Sequence, residues 1–259
     1  MLSDLLAIDI GNTNIHLGLW QDGTWRLNWR MRTVPDKMPD EYAALLRNFL
    51  RNSDLDWHAI HAVAIASVVP SLTAAFTELT QRYIDVEPLV ISSRTRMDIR
   101  VEVDQPEQVG ADRIVNAAAV HALYSGPAIV IDFGTATTFD VISRDGNYIG
   151  GSIAPGIGIA MDALVGKTAQ LYKVILEPPP CPVGRNTTHA IQSGLFWGYV
   201  GLIEGLVARI KAAEPDMLNA KVIATGGLAP LFRDHTPVIE DIAPFLTLDG
   251  IRLIYEYNQ

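Results

Sequence analysis

The segment LLAIDIGNTN at residues 5–14 decides the fold, because a closely similar segment, AIVIDFGTAT, follows at residues 128–137. Each copy is a short apolar strand followed by Asp-x-Gly and then by hydroxyl or amide residues. A second strand is predicted after each copy, at residues 15–20 and 138–142. A β-hairpin repeated about half a chain apart indicates two similar α/β lobes.

Helical patterns lie between and after the two hairpins. Periodicity predicts a strand at residues 221–224 and helices at residues 40–52, 71–83, 112–124 and 187–213. Strands that alternate with helices favour a mostly parallel or mixed sheet flanked by helices. We place the boundary between the two lobes near residue 117. This division predicts an N-terminal lobe at residues 1–117 and a C-terminal lobe at residues 118–259.

The composition excludes several classes of protein. The formal net charge is −9 and no block of basic residues is present, whereas a nucleic-acid binder needs a cationic stripe that neutralises phosphates. We therefore expect no nucleic-acid partner. Cys181 is the single cysteine, so neither an intramolecular disulfide nor a multi-cysteine zinc cluster can form. We interpret Cys181 as a bystander in a proline-rich loop.

The sequence predicts no membrane segment. The first residues lack a basic region, and the apolar run that follows meets Asp9 after four residues, which is unlike a signal peptide. The most apolar window, residues 190–208, contains Gln192, Ser193 and Glu204. A buried helix explains that window better than a transmembrane span. We expect a cytoplasmic protein.

The Asp-x-Gly turns have the chemistry of a phosphate site. Asp9, at a strand end, can hold hydrated Mg²⁺, which prefers carboxylate, water and phosphate oxygens. Gly11 lets the turn approach a phosphate closely, and Thr13 and the turn N–H groups can donate to it. The alternative is that Asp9 only caps a tight hairpin. Two copies, and a later strand followed by Gly-Gly, favour nucleotide binding.

Other phosphate-binding motifs do not fit. The segment Gly166-Lys167-Thr168 has the ending of a Walker loop, but Met161 stands where that loop requires glycine. No Gly-x-Gly-x-x-Gly lies between a strand and a helix, so a dinucleotide-binding fold is not expected. The six histidines show no metal-ligand spacing.

The segment VGADRIVN at residues 109–116 places Asp112 and Arg113 at the start of a predicted helix. One interpretation is structural, because a helix N-terminus favours an ionised carboxylate. The other is catalytic: Asp112 accepts the proton of a substrate hydroxyl, and Arg113 pairs with an anionic group of the substrate. Phosphoryl transfer depends on positioning more than on a strong base.

Two later segments have alternative interpretations. The glycine-rich stretch at residues 150–158 is either a flexible connection or a place where backbone approaches a ligand. Thr187 opens a long helix, for which its structural role is N-cap. That helix carries Gly194, Gly198, Gly201 and Gly205, which indicates close helix contact within the chain or across a dimer.

Together these blocks resemble the type III pantothenate kinase family, a branch of the superfamily of acetate and sugar kinases, heat-shock ATPases and actin. The resemblance runs nearly the whole chain and implies two actin-like (ribonuclease H-like) lobes. The matching blocks are DIGNTN at 9–14, ASVVP at 66–70, VGADRIVNA at 109–117, DFGTATTFD at 132–140, GGSIAPGIGIAMDAL at 150–164, GRNTTHAIQSG at 184–194 and ATGGLA at 224–229.

The resemblance implies transfer of the γ-phosphate of Mg-ATP to the primary hydroxyl of pantothenate, giving 4′-phosphopantothenate, the first step of coenzyme A synthesis. It implies that Asp112 is the catalytic base and that Asp132 binds a monovalent cation, K⁺ or NH₄⁺. It also implies a homodimer with the active site at the subunit interface. The implied ATP-binding residues are Asp9, Ile10, Gly11, Asn12, Thr13, Asn14, Ile15, His16 and Thr135, and the implied pantothenate-binding residues are Gly110, Ala111, Asp112, Arg113 and Thr187.

One position departs from the family pattern, since Val103 stands where many members have tyrosine. The change removes a hydroxyl and an aromatic surface near the substrate, so a kinase for another small hydroxy acid stays open. A nucleotide-binding regulatory protein without kinase activity is the other alternative.

Overall fold

A computed structural model describes residues 4–259. The expectation that the first residues are unlike a signal peptide concerns, in part, residues 1–3, which lie outside that range. The chain forms two compact units, one of Met1–Tyr124 with Phe245–Gln259 and the other of Ser125–Pro244. This division differs from the boundary expected near residue 117. Residue 117 lies inside the continuous helix Ala111–Leu123, which cannot be divided, and the C-terminal segment belongs to the first unit.

The first unit contains a five-stranded sheet and four α-helices among its described residues. The strand order is β3-β2-β1-β4-β5; β1, β2 and β3 are antiparallel neighbours, while β4 is parallel to both β1 and β5. The elements are β1 Leu5–Ile10, β2 Asn14–Gln21, β3 Thr24–Arg32, α1 Pro39–Arg51, β4 Ala62–Ser67, α2 Pro70–Leu79, β5 Leu89–Ile91, α3 Ala111–Leu123 and, after the second unit, α7 Leu246–Tyr257.

The two faces of the first sheet bury side chains of different size. Ile8 and Ile10 of β1 join the core that includes side chains of α1 and α2. Alternate residues of a strand face opposite sides, and on the other face Ala7 pairs with Gly18 of β2. A Cβ at Gly18 would lie 2.8 Å from Cδ1 of Leu248. Small residues therefore let α7 lie close against this face.

The second unit repeats the topology of the first. Its strand order is β10-β9-β6-β7-β8, in which β6, β7 and β8 are antiparallel neighbours and β9 is parallel to both β6 and β10. The predicted repeat of two similar α/β lobes is confirmed. The elements are β6 Ala128–Phe133, β7 Ala136–Ile142, β8 Tyr148–Pro155, α4 Ile157–Gly166, α5 Thr187–Ala213, β9 Lys221–Thr225, α6 Ala229–Arg233 and β10 Asp241–Ile242.

The predicted helices are all present, with ends that differ by a few residues. The largest difference is at the predicted helix 71–83, where α2 ends at Leu79 and a π-helical turn continues over Thr80–Ile84. The glycine-rich stretch at 150–158 is not a flexible connection. Most of it forms β8, which pairs with β7, and its last residues open α4.

Helix α5 is long and apolar enough by composition to cross a membrane, and 39% of its apolar window is buried within the structure. One face, with Phe196, Ile203 and Val207, joins the core of the second unit. The expectation of a buried helix therefore holds for one face. The opposite face is an exposed stripe of small residues, which are Thr187, Ala190, Gly194, Gly198, Gly201 and Ala208.

Candidate active site

The turn between β1 and β2 is fixed by its own backbone. The N–H of Gly11 donates to the carbonyl of Asn14 at 3.0 Å. Thr33, just after β3, makes two hydrogen bonds to the turn. Its N–H donates to the carbonyl of Thr13 at 2.9 Å, and its hydroxyl donates to the carbonyl of Gly11 at 2.6 Å. The side chains of Asn12, Thr13 and Asn14 are exposed. The turn thus presents short polar groups from a rigid frame.

Two of the residues expected to bind ATP have side chains that point away from this surface. Ile10 and Ile15 are fully buried in the core. Only their backbone groups are placed to reach a ligand. The carbonyl of Ile10 is already used, since it accepts from the N–H of Val68 at 3.0 Å.

His16 lies directly opposite Asp9 across β1 and β2 and opposite Arg30 across β2 and β3. Cross-strand partners share a face of the sheet, so the three side chains form a row. Burial and the positive charge of Arg30 lower the pKa of His16 to about 4, against a hydrogen bond with Asn28 that raises it. His16 is therefore neutral at physiological pH. Its ring stacks on Phe245 with centroids 6.4 Å apart.

The segment with Asp112 lies at the same end of the first sheet as the hairpin turn. Val68, which is bonded to Ile10, is the link: a Cβ added to Gly110 would lie 3.3 Å from Cγ1 of Val68 and 2.4 Å from Oδ1 of Asp112. Gly110 therefore makes room for the Asp112 carboxylate. The N–H of Arg113 donates to that same oxygen at 2.9 Å.

Asp112 is not the cap of its helix. The N-cap position of α3 is Gly110, which makes no side-chain cap bond, and Asp112 follows in the first turn. Burial raises the pKa of Asp112 above the ordinary value of 3.8, against the opposing effects of the Arg113 N–H and guanidinium. A half-buried carboxylate whose proton affinity is raised suits a general base better than a surface carboxylate does.

The second hairpin turn brings backbone close to Asp132. The N–H of Gly156 donates to the carbonyl of Thr135 at 3.0 Å, and a Cβ at Gly156 would lie 2.2 Å from that oxygen. Gly226 has a φ of +89°, and a Cβ there would lie 2.6 Å from the carbonyl oxygen of Phe133 and 2.8 Å from Oδ1 of Asp132. Gly156 and Gly226 therefore let backbone pack closely onto this turn. Thr135 itself is exposed.

Asp140 is a residue that the sequence reasoning missed. It is fully buried in β7, where its Oδ2 accepts from the hydroxyl of Thr138 at 3.3 Å. Thr138 in turn pairs with Asp132 in the sheet register. The signal available in the sequence was a carboxylate within an otherwise apolar strand. Among residues 4–259, no group of three or more His, Cys, Asp or Glu could hold a metal ion by itself.

Thr187 lines a cavity in the second unit. The predicted N-cap role of Thr187 is wrong, because Asn186 caps α5 by accepting from the N–H of His189 at 2.8 Å. The cavity has a volume of about 720 Å³. Its walls are the apolar side chains of α4 and α5, and Arg185, Asn186 and Thr187 provide its polar lining.

Comparison with known proteins identifies the family. The family described as type III pantothenate kinase matches residues 5–209. The chain belongs to this family. Relatives of the same description include one from Roseiflexus sp. (strain RS-1), 49% identical over 98% of this chain and 99% of the relative. Another is from Moorella thermoacetica, 46% identical with the same coverage.

Solved structures show that the fold is shared more widely. A Campylobacter jejuni protein, assigned provisionally to the Baf family of transcriptional activators, has a TM-score of 0.61 at 20% identity and covers 98% of each chain. The inorganic polyphosphate/ATP-glucomannokinase of Arthrobacter sp. strain KM has a TM-score of 0.51 at 14% identity and covers 99% of each chain. These likenesses confirm the fold class that the sequence predicted, with two mixed sheets flanked by helices.

We predict that Asp112→Asn raises the melting temperature at neutral pH, because it removes a carboxylate whose ionised form is disfavoured by burial. When folding raises the pKa of a carboxyl group, the group stabilises the fold at pH values below its unfolded-state pKa. This stabilisation is lost as the pH rises through its folded-state pKa. The difference between the variant and the wild type should therefore shrink as pH falls towards 3.8.

Thermal melts of both proteins at several pH values test this prediction. Asp145→Asn, at an exposed position in the second unit, is the matched control and should show no such pH-dependent gain. A lower melting temperature of Asp112→Asn at neutral pH would contradict the account.

Proposed function

We propose that this chain transfers the γ-phosphoryl group of ATP to the primary hydroxyl of pantothenate, giving 4′-phosphopantothenate in the first step of coenzyme A biosynthesis. The observation that carries the proposal is the half-buried Asp112 carboxylate beside a rigid Asp-x-Gly hairpin turn within the first unit. Relatives described as type III pantothenate kinases, which match over nearly their whole length, support the choice of substrate.

In the proposed reaction, the hydroxyl oxygen of pantothenate attacks the γ-phosphorus, and the bond from that phosphorus to the β–γ bridging oxygen breaks, so that ADP leaves. Asp112 accepts the proton of the hydroxyl. The transition state is loose, so the base need not be strong, and positioning supplies most of the rate. The raised pKa still favours proton uptake as the new bond forms.

The hairpin turns would hold the nucleotide. We assign the first turn, from Asp9 to His16, and Thr135 of the second turn to ATP. The exposed hydroxyl of Thr13 and the turn N–H groups suit phosphate oxygens. The buried Ile10 and Ile15 and the half-buried His16 would act by shaping the turn. Mg²⁺ would neutralise the developing negative charge, and the carboxylate of Asp9 suits a hydrated Mg²⁺.

We assign Gly110, Ala111, Arg113 and Thr187 to binding of the acceptor. Pantothenate carries a carboxylate, which suits the guanidinium of Arg113. Val103 is half-buried and lies nine residues before Asp112. It lacks the hydroxyl of the tyrosine that many family members carry at this position. We place the enzyme in the cytoplasm.

The wild-type protein should release ADP from Mg-ATP in a potassium buffer only when pantothenate is present. Coupled ADP detection with pantothenate, with other small hydroxy acids and without an acceptor measures this directly. Release with another acceptor but not with pantothenate would replace the substrate. ATP binding with no acceptor-dependent release would favour the nucleotide-binding regulatory alternative.

We further assign Asp132 to a monovalent cation, K⁺ or NH₄⁺. The support is the approach of Gly226 and Gly156 to this turn, which packs backbone carbonyl oxygens near the carboxylate. Potassium is held by oxygen atoms, carbonyl oxygens included. Replacing potassium with sodium should lower the turnover number several-fold, and Asp132→Asn should abolish the difference between the two ions. Asp145→Asn is the control and should keep it. Equal rates in sodium and potassium would refute the assignment.

We also propose that the protein is a homodimer with its active site at the subunit interface. The exposed stripe of small residues on α5 supports a helix-to-helix contact between two copies of the chain. A Cβ at Gly194, Gly198 or Gly201 would meet nothing within 4 Å. Small residues let two helix backbones approach closely, and a two-fold axis lets one surface bind its own copy.

The variant Gly201→Leu should convert a dimer into a monomer, since added bulk blocks the approach while leaving the chain itself unstrained. Light scattering coupled to size-exclusion chromatography reports the mass. Ala213→Leu, at an exposed position of α5 away from the stripe, should remain dimeric. A dimeric Gly201→Leu protein, or a monomeric wild type, would refute the proposed interface.

A further inference from the structure

We infer that the first turn of helix α7 positions Asp112 relative to the hairpin turn, with Thr247 as the positioning residue. This inference rests on the proposed function, which makes Asp112 the base. Helix α7 lies after residues 5–209, the part of the chain that the family description matches. All of the contacts that carry the inference lie within the first unit.

The beginning of α7 contacts both functional elements of this unit. On one side Phe245, the N-cap residue, stacks on His16 at an interplanar angle of 25°. His16 lies opposite Asp9 in the strand pair that carries the hairpin turn. Two residues further along α7, the hydroxyl of Thr247 donates to Oδ1 of Asn116 at 2.9 Å.

Asn116 connects that hydrogen bond to the base. It is 1% exposed and follows Asp112 by four residues on α3. Residues four apart lie on the same face of a helix, one turn from each other. A rotation or shift of α3 that moved Asn116 would therefore move Asp112 with it. Thr247 fixes this face of α3 against α7.

The two helices are also in close contact at Gly250 of α7. A Cβ at Gly250 would lie 1.9 Å from the carbonyl oxygen of Val115, so their backbones touch at that point. The opposite side of α7 is bound to the sheet. There Nε1 of Trp25 donates to Oδ1 of Asp249 at 2.9 Å, and the guanidinium of Arg252 lies 4.4 Å from the ring centroid of Trp20.

Helix α7 therefore connects the two functional elements. One side of α7 contacts β2 and β3, which continue from the hairpin turn, and the other side contacts α3. The contacts with Thr247 and Gly250 set where the Asp112 carboxylate lies relative to the turn. Loss of the Thr247 hydroxyl should let α3 shift by a fraction of an ångström. Misplacement of a catalytic group by about 1 Å can cost on the order of a hundredfold in rate.

The test compares Thr247→Val with Thr247→Ser. Valine keeps the shape but removes the donor, and should lower kcat about tenfold while the KM for ATP stays near the wild-type value, since the hairpin turn is untouched. Serine restores the hydroxyl and should recover most of the lost rate. A merely structural role would change the melting temperature without this division between kcat and KM.

Trp25→Phe is the matched control, because it removes a hydrogen bond of equal length between α7 and the sheet but none to α3, while the contacts of Leu248 and Arg252 still hold α7 against the sheet. It should lower the melting temperature while leaving kcat near the wild-type value. A wild-type kcat in Thr247→Val, or an equal loss in Trp25→Phe, would overturn the inference alone. Absence of pantothenate-dependent ADP release by the wild type would overturn the proposed function and the inference with it.

Discussion

The placement of the candidate base depends on one close contact, the packing of α7 against α3 and the first sheet. Gly250 allows the two helix backbones to touch at Val115, and Gly18 leaves space for Leu248 of α7. A side chain at either glycine would force these elements apart, and overpacking of this kind typically costs about 1–3 kcal/mol. The segment that closes the first unit is thus the last in sequence.

The chemistry of the site follows from the burial that this packing produces. Asp112 opens a helix without capping it, beneath a glycine that makes room for its carboxylate. Burial raises its pKa, which costs stability at neutral pH and increases its affinity for the proton of an acceptor hydroxyl. Burial likewise favours the neutral form of His16, and the positive charge of Arg30 adds to this effect by lowering the pKa further. A neutral His16 supports the hairpin turn without adding charge beside the proposed phosphate site.

Much of the fold could be predicted from the sequence, since the hairpin repeat and the helical periodicity depend on local patterns. The repeated LLAIDIGNTN and AIVIDFGTAT segments do begin two sheets of identical topology. Local patterns predicted a helix over residues 112–124, but they could not show that the C-terminal segment returns to the first unit. They also could not show that Gly150 and its neighbours form a strand. The contact of Gly110 with Val68, the partners of Thr247 and the burial of Asp140 all depend on residues distant in sequence. The roles of the individual site residues therefore stay predictions that follow from the family and from this geometry.

The measurement that tests the central claim most directly is the comparison of ATP binding and turnover in Asp112→Asn and the wild type. Calorimetry should give the two proteins similar affinities for ATP, because the hairpin turn is unchanged by the substitution. Turnover with pantothenate should fall by at least about a hundredfold, the lower end of what a general base contributes. Turnover at the wild-type rate would contradict the account, because it would show that Asp112 is not the base.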